Sequence, residues 1–128
     1  MQLAILVNSP AYGSQGSASA YRFVEAALSM GHEVVGVFFY QQGVSNANAL
    51  TLPASDEQNL VKLWSDLANQ HNIRLDVCIS AALRRGVVDE SSAQEQQMAC
   101  SNLAAPFAMT GLGQLAELIA RSDRLVQF

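Results

Sequence analysis

The sequence predicts an α/β fold in which residues 1–128 form one domain: a three-layer sandwich with a mostly parallel, about five-stranded sheet and helices on both faces. Three observations predict it. Short apolar, β-branched runs alternate with amphipathic segments along the whole chain, the pattern of parallel strands joined by crossover helices. A length of 128 residues allows one domain. Half of the residues are apolar, enough for an ordinary core, and no repeat, linker or low-complexity tract interrupts them.

The elements follow in chain order. Gln2 to Val7 is short, apolar and β-branched at two positions, which predicts a buried strand. Asn8 to Ser17 is a turn-rich loop with Pro10, Gly13 and Gly16. Tyr21, Val24 and Leu28 then fall on one helical face, so the spacing predicts a helix over 18–30, ended by Gly31. Glu33 to Tyr40 reads as a second buried strand. Gln41 to Ala54, rich in Gln, Asn, Ser and Gly, is expected to be an irregular loop. Loops of about fourteen residues are uncommon in compact domains and often functional, which makes this one a candidate lid or docking surface. Ser55 and Gln58 have capping-box spacing ahead of a helix whose stripe is Leu60, Leu63, Trp64, Leu67 and Ala68, with Asn72 at its end.

The third strand starts at Ile73 and reaches Val77 or Cys78. Its apolar residues alternate with Arg74, Asp76 and Cys78, so one face is expected to be partly polar, at a sheet margin or an interface. Ser80 to Arg85 predicts a short helix closed by Gly86. Ser92 and Glu95 predict a second capping box for a helix ending before Pro106. Phe107 to Thr110 is a short fourth strand. Gly111-Leu112-Gly113 opens a last helix with Leu112, Leu115, Ala116 and Ile119 on one side, and Asp123 to Phe128 closes the sheet.

Composition narrows the function. Charged residues make up 14% of the chain, against about 25% in a typical soluble domain. Buried subunit interfaces account for such a deficit, and a Ser/Gln/Asn-rich surface is the alternative. The net charge of −4 and the scarcity of clustered cations, with Lys62 the lone lysine, argue against nucleic acid as the main partner. The opening apolar run stops at Asn8-Ser9-Pro10 and lacks the basic region of a signal peptide. No apolar stretch approaches the ~20 residues of a spanning helix. A cytoplasmic protein is expected, with no membrane partner.

Open parallel sheets bind and react at the carboxyl ends of their strands. Three features fall on that rim: the loop from Asn8 to Ser17, the loop from Gln41 to Ala54, and Cys78, where strand three gives way to a helix. A helix start carries partial positive charge and favours an anionic sulfur. Buried packing is the plain alternative for Cys78. Cys100, on a predicted helix, is expected to fill the core or an interface. Arg84 and Arg85 suit the C-terminus of a short helix. Tyr12-Gly13-Ser14-Gln15-Gly16-Ser17 could cradle a phosphate but lacks the spacing of the known glycine-rich loops. His32 and His71 read as ordinary element ends, and Trp64 and Phe38-Phe39-Tyr40 as core or interface. No metal cluster, catalytic triad or cofactor motif stands out, so no metal and no cofactor are expected.

The segments QLAILVNSPAYGSQGSASAYRFVEAALSMGHEV, VCISAALRRGV and GLGQLAELIARSDRLVQF resemble the DsrE/TusD-type sulfurtransferases of the DsrE/DsrF/DsrH-like family. The resemblance covers essentially the whole chain. It implies a DsrE-like fold and a sulfur relay in which Cys78, the position matching the family's active cysteine, is catalytic. A TusA-like donor would supply persulfide sulfur to Cys78. A TusE-like acceptor would take it toward 2-thiouridine at the tRNA wobble position. TusB- and TusC-like subunits would complete a heterohexamer of two heterotrimers, with no direct nucleic-acid contact. Three other readings stay open: a DsrE-type subunit of a sulfur oxidation or reduction pathway, a flavodoxin-like nucleotide-binding module using the first loop, and a structural subunit with an inert Cys78.

Overall fold

The computed structural model describes residues 1–128. Its centre is β1 (Gln2–Val7), buried at every position but the first. This strand is flanked by β2 (Glu33–Phe39) on one side and β5 (Arg124–Gln127) on the other. β3 (Leu75–Cys78) and β4 (Ala108–Thr110) extend the sheet beyond β2, giving the order β4-β3-β2-β1-β5. All four pairings are parallel. Continuous apolar runs such as Leu3 to Val7 suit strands covered on both faces.

The registers assign the faces. Ile5, Val37 and Leu75 are in register, as are Val7 and Phe39, and Phe39 pairs with Val77. These residues face α1 (Gly16–Ser29) and α2 (Leu60–His71). Trp64 of α2 meets the Phe39 ring edge-on at 5.3 Å, and the Tyr21 ring of α1 at 5.4 Å. Gly36, Phe38 and Asp76 point the other way. That side is covered by α5 (Leu112–Arg121), whose Leu118 is fully buried against Gly36. A Cβ at Gly36 would lie 2.8 Å from Leu118 Cδ2, so glycine lets this helix approach the sheet. The three layers and the helices on both faces are therefore as the sequence predicts.

Several boundaries differ from expectation. Residues 41–54 are not wholly irregular: Gln41–Ala47 forms a 3-10 helix with Gly43, Val44, Asn46 and Ala47 buried. Polar composition concealed it, because its apolar side is built from small residues. α2 begins at Leu60 and not after Ser55; its cap is Asn59, whose side-chain oxygen accepts from the Lys62 N–H at 3.1 Å. It ends at Asn72 in the left-handed conformation, φ 54°, as the sequence suggests. α3 (Ile79–Arg84) leads to Gly86 at φ 76°. α4 (Glu90–Glu95) starts three residues earlier than the Ser92 box predicts, because Asp89 accepts from the Ser92 N–H at 3.0 Å and caps it. The alternation in β3 does not mark an exposed face: all four residues, Asp76 included, are buried. No helix is long and apolar enough to cross a membrane.

Candidate functional site at the carboxyl rim

The carboxyl ends of β1, β2 and β3 deliver the three segments expected there. The loop after β1, the 3-10 helix after β2 and the β3–α3 junction at Cys78 gather on one rim. Asn46 ties the first two together. Its side chain is fully buried, and all four of its hydrogen-bonding positions are used. The amide oxygen accepts from Ser17 Oγ and from Trp64 Nε1 at 3.2 Å. The amide nitrogen donates to the Gly43 carbonyl at 2.8 Å and the Ser9 carbonyl at 3.3 Å. Sequence reasoning missed this residue, because a lone Asn in a polar stretch reads as surface. Gly43 completes the joint: a Cβ there would lie 2.0 Å from the Val7 carbonyl oxygen.

A second staple closes the outer rim. Asn102 donates to the Gly86 carbonyl at 2.8 Å and to Asn48 Oδ1 at 3.1 Å, and accepts from the Val88 N–H at 2.7 Å. Its own carbonyl accepts from the Ala49 N–H at 2.7 Å. The segments around residues 48, 87 and 102 are thus laced together beside α3, which packs on the 3-10 helix.

Cys78 lies in the last register position of β3, opposite Thr110 of β4, and serves as the N-cap residue of α3. It stands at the rim as expected, but it is not open: 4% of it is exposed. The packed alternative raised for Cys78 thus describes the chain alone: its side chain leaves the sheet on the side that α5 covers, the side of Asp76 and Gly36. Two residues earlier, Asp76 is fully buried and bonded through Oδ1 to Arg74 Nη2 at 2.8 Å. Its Oδ2 atom, Thr110 Oγ1 and Gln114 Nε2 are buried without partners.

The remaining candidates disperse. Cys100 is exposed and lies beyond the end of α4, so of its two expected places, core or interface, the core is excluded. Arg85 Nη1 donates to the Ala81 carbonyl at 3.1 Å, which closes α3 in the manner expected of a helix-end cation. The first loop borders a surface cleft of about 530 Å³ whose walls include Tyr12, Ser14, Gln15, Glu57 and Gln58. Glu57 is the charged group in that wall, no cation faces it, and the Ser17 hydroxyl is spent on Asn46. This chemistry is unsuited to a phosphate and weighs against a nucleotide site.

Comparisons with known proteins agree with one another. The model of the DsrE/DsrF-like family matches residues 1–128. The chain is 54% identical over 124 residues to "Sulfurtransferase TusD" of Serratia proteamaculans (strain 568), covering 97% of this chain and 96% of that one. The crystal structure of the ychN protein from E. coli superposes with a TM-score of 0.76 at 15% identity, over 99% of this chain and 98% of that one. That structural likeness speaks to the fold.

Proposed function

The chain belongs to the DsrE/DsrF-like family and is a sulfurtransferase; from that premise we propose that Cys78 is the residue that carries the sulfur. The observation that supports this reading is the place of Cys78, at the β3–α3 junction on the carboxyl rim of a parallel sheet. The exposed Cys100 occupies no such position.

In the proposed reaction the Cys78 thiolate attacks the terminal sulfur of a donor persulfide. The donor's S–S bond breaks, its cysteine leaves as the thiolate, and Cys78 becomes a persulfide. An acceptor thiolate then attacks the terminal sulfur of that persulfide and restores Cys78. No oxidant or reductant is consumed. Because Cys78 is 4% exposed, each exchange requires the rim segments beside α3 to yield to the visiting protein.

The partners belong to the same proposal: a TusA-like donor, a TusE-like acceptor leading to 2-thiouridine at the tRNA wobble position, and TusB- and TusC-like subunits in a cytoplasmic heterohexamer. The low charge content and exposed apolar residues such as Leu50 and Leu52, which are 64% and 92% exposed, support an assembly of this kind. They also keep residues 48–54 as the candidate docking surface, in place of the whole segment from Gln41 to Ala54.

The test is incubation of the full chain with glutathione persulfide, followed by intact-mass and peptide analysis. One added sulfur on Cys78 is expected, absent in Cys78→Ser and retained in Cys100→Ser. Sulfur found on Cys100 alone, or on neither cysteine, overturns the assignment.

A further inference from the structure

We propose that Thr110 and Gln114 hold the sulfur carried on Cys78 by donating hydrogen bonds to its terminal atom. The inference rests on Cys78 being the sulfur carrier, and it assigns positioning residues to that reaction.

Three placements support it. Cys78 and Thr110 are register partners on neighbouring parallel strands, so their side chains leave the same side of the sheet about 4.8 Å apart at the backbone. Asp76 precedes Cys78 by two residues and shares that side. Gln114 lies one helical turn before Leu118, which packs on Gly36 of the same side. The first turns of α5 therefore bring Gln114 down onto the layer that contains Cys78, Asp76 and Thr110.

Within this layer the hydrogen-bonding account does not close. Thr110 Oγ1 and Gln114 Nε2 are buried donors with nothing to donate to, and Asp76 Oδ2 is a buried acceptor with nothing to accept. Buried donors are normally satisfied. The terminal sulfur of a persulfide is an anion that needs donors, extends one bond beyond Cys78 Sγ, and leaves when the relay completes. Two unspent donors suit such a visitor, because charge-assisted bonds form when it arrives. Asp76 cannot hold an anion. Its charge is balanced by Arg74 at 2.8 Å, and its free oxygen is the competing acceptor for the same two donors.

The test is an exchange equilibrium on the full chain: glutathione persulfide and Cys78 thiol give glutathione thiol and Cys78 persulfide. Mass spectrometry reads the loaded fraction at fixed ratios of the two glutathione species. Thr110→Val and Gln114→Glu should each lower the exchange constant about tenfold, the loss expected for one hydrogen bond to a charged group. Thr110→Ser, which keeps the hydroxyl, should load like the parent chain. Thermal unfolding of the unloaded variants supplies the structural control. If both donors serve Asp76 alone, melting temperatures fall while the exchange constant stays put, and that result overturns the inference. Loading by Thr110→Val and Gln114→Glu equal to the parent does so as well. A parent chain that takes no sulfur on Cys78 fails at the earlier step and refutes the carrier assignment itself.

Discussion

The indole N–H of Trp64 donates to the side-chain oxygen of Asn46 at 3.2 Å, with both side chains fully buried. Through this bond the middle of α2 fixes the 3-10 helix that follows β2, and Asn46 passes the constraint on to Ser17 of α1 and to the Ser9 carbonyl. A polar hub of this kind stabilises only while complete. Asn46→Ala strands the Trp64 N–H, the Ser17 hydroxyl and the two carbonyls that Asn46 serves. Each stranded buried group costs about 1–3 kcal/mol, and water entering the gap recovers part of it. A loss of about 3–5 kcal/mol in urea unfolding is expected. A loss under about 1 kcal/mol would mean that the hub is dispensable.

Two of the close-packed glycines, Gly43 and Gly36, should respond differently to one methyl group. At Gly43 the new Cβ meets the Val7 carbonyl oxygen at 2.0 Å, and neither that backbone nor the 3-10 helix can turn aside. At Gly36 it meets the ends of the Leu118 side chain, which can rotate. Gly43→Ala should cost more than about 3 kcal/mol, and Gly36→Ala about 1–2 kcal/mol. Denaturant midpoints for the two variants, taken at equal slope, check the order.

Tyr21 supplies a pH signature. Burial, the hydrogen bond to Glu25 at 3.0 Å, and the charges of Glu25 and Asp66 push its phenol up from 10.0 to about 12. The folded state thus keeps its proton where the unfolded state loses it. The stabilisation is fully present below pH 10 and is lost as pH rises from 10 toward about 12. Ultraviolet titration of the phenolates should show one tyrosine ionising late. Tyr21→Phe should remove that step and flatten the decline of stability over the same interval. Three tyrosines that ionise together would contradict this.

What the sequence disclosed and what it hid have physical causes. Strand and helix order were legible because apolar runs such as Leu3 to Val7 and the Leu60–Trp64–Leu67 stripe are dictated by burial. The rim position of Cys78 followed from that order. The lacing of the rim beside it did not, because that is made by Asn46, Asn48 and Asn102, whose bonds reach across distant parts of the chain. Asparagine carries no hydrophobic pattern, so a buried amide hub and a surface amide look alike before folding. The true caps, Asn59 and Asp89, escaped for a related reason: each stood near another residue with equally good cap chemistry. The orphaned atoms of Asp76, Thr110 and Gln114 needed the register of β3 with β4 and the seat of α5.

The covering of Cys78 also predicts how its chemistry is gated. Cys100 is exposed, so a bulky thiol reagent should modify it at the rate of an open cysteine. Cys78, at 4% exposure, should react only when the rim opens. Local openings of packed segments cost on the order of 2–4 kcal/mol, so Cys78 should lag Cys100 by about 30- to 1000-fold. The Asn102 staple is part of that cost, since it binds the chain leaving α3 at Gly86 and Val88 to Asn48. Asn102→Ala should therefore speed labelling of Cys78 about tenfold and raise hydrogen exchange at the Ala49 and Val88 amides, while leaving Cys100 unchanged. A Cys78 that reacts as fast as Cys100 in the parent chain would show that nothing bars the sulfur. If labelling of Cys78 ignores the loss of Asn102, the opening lies elsewhere, and α5, which covers the side of the sheet that Cys78 shares with Asp76, becomes the element to loosen.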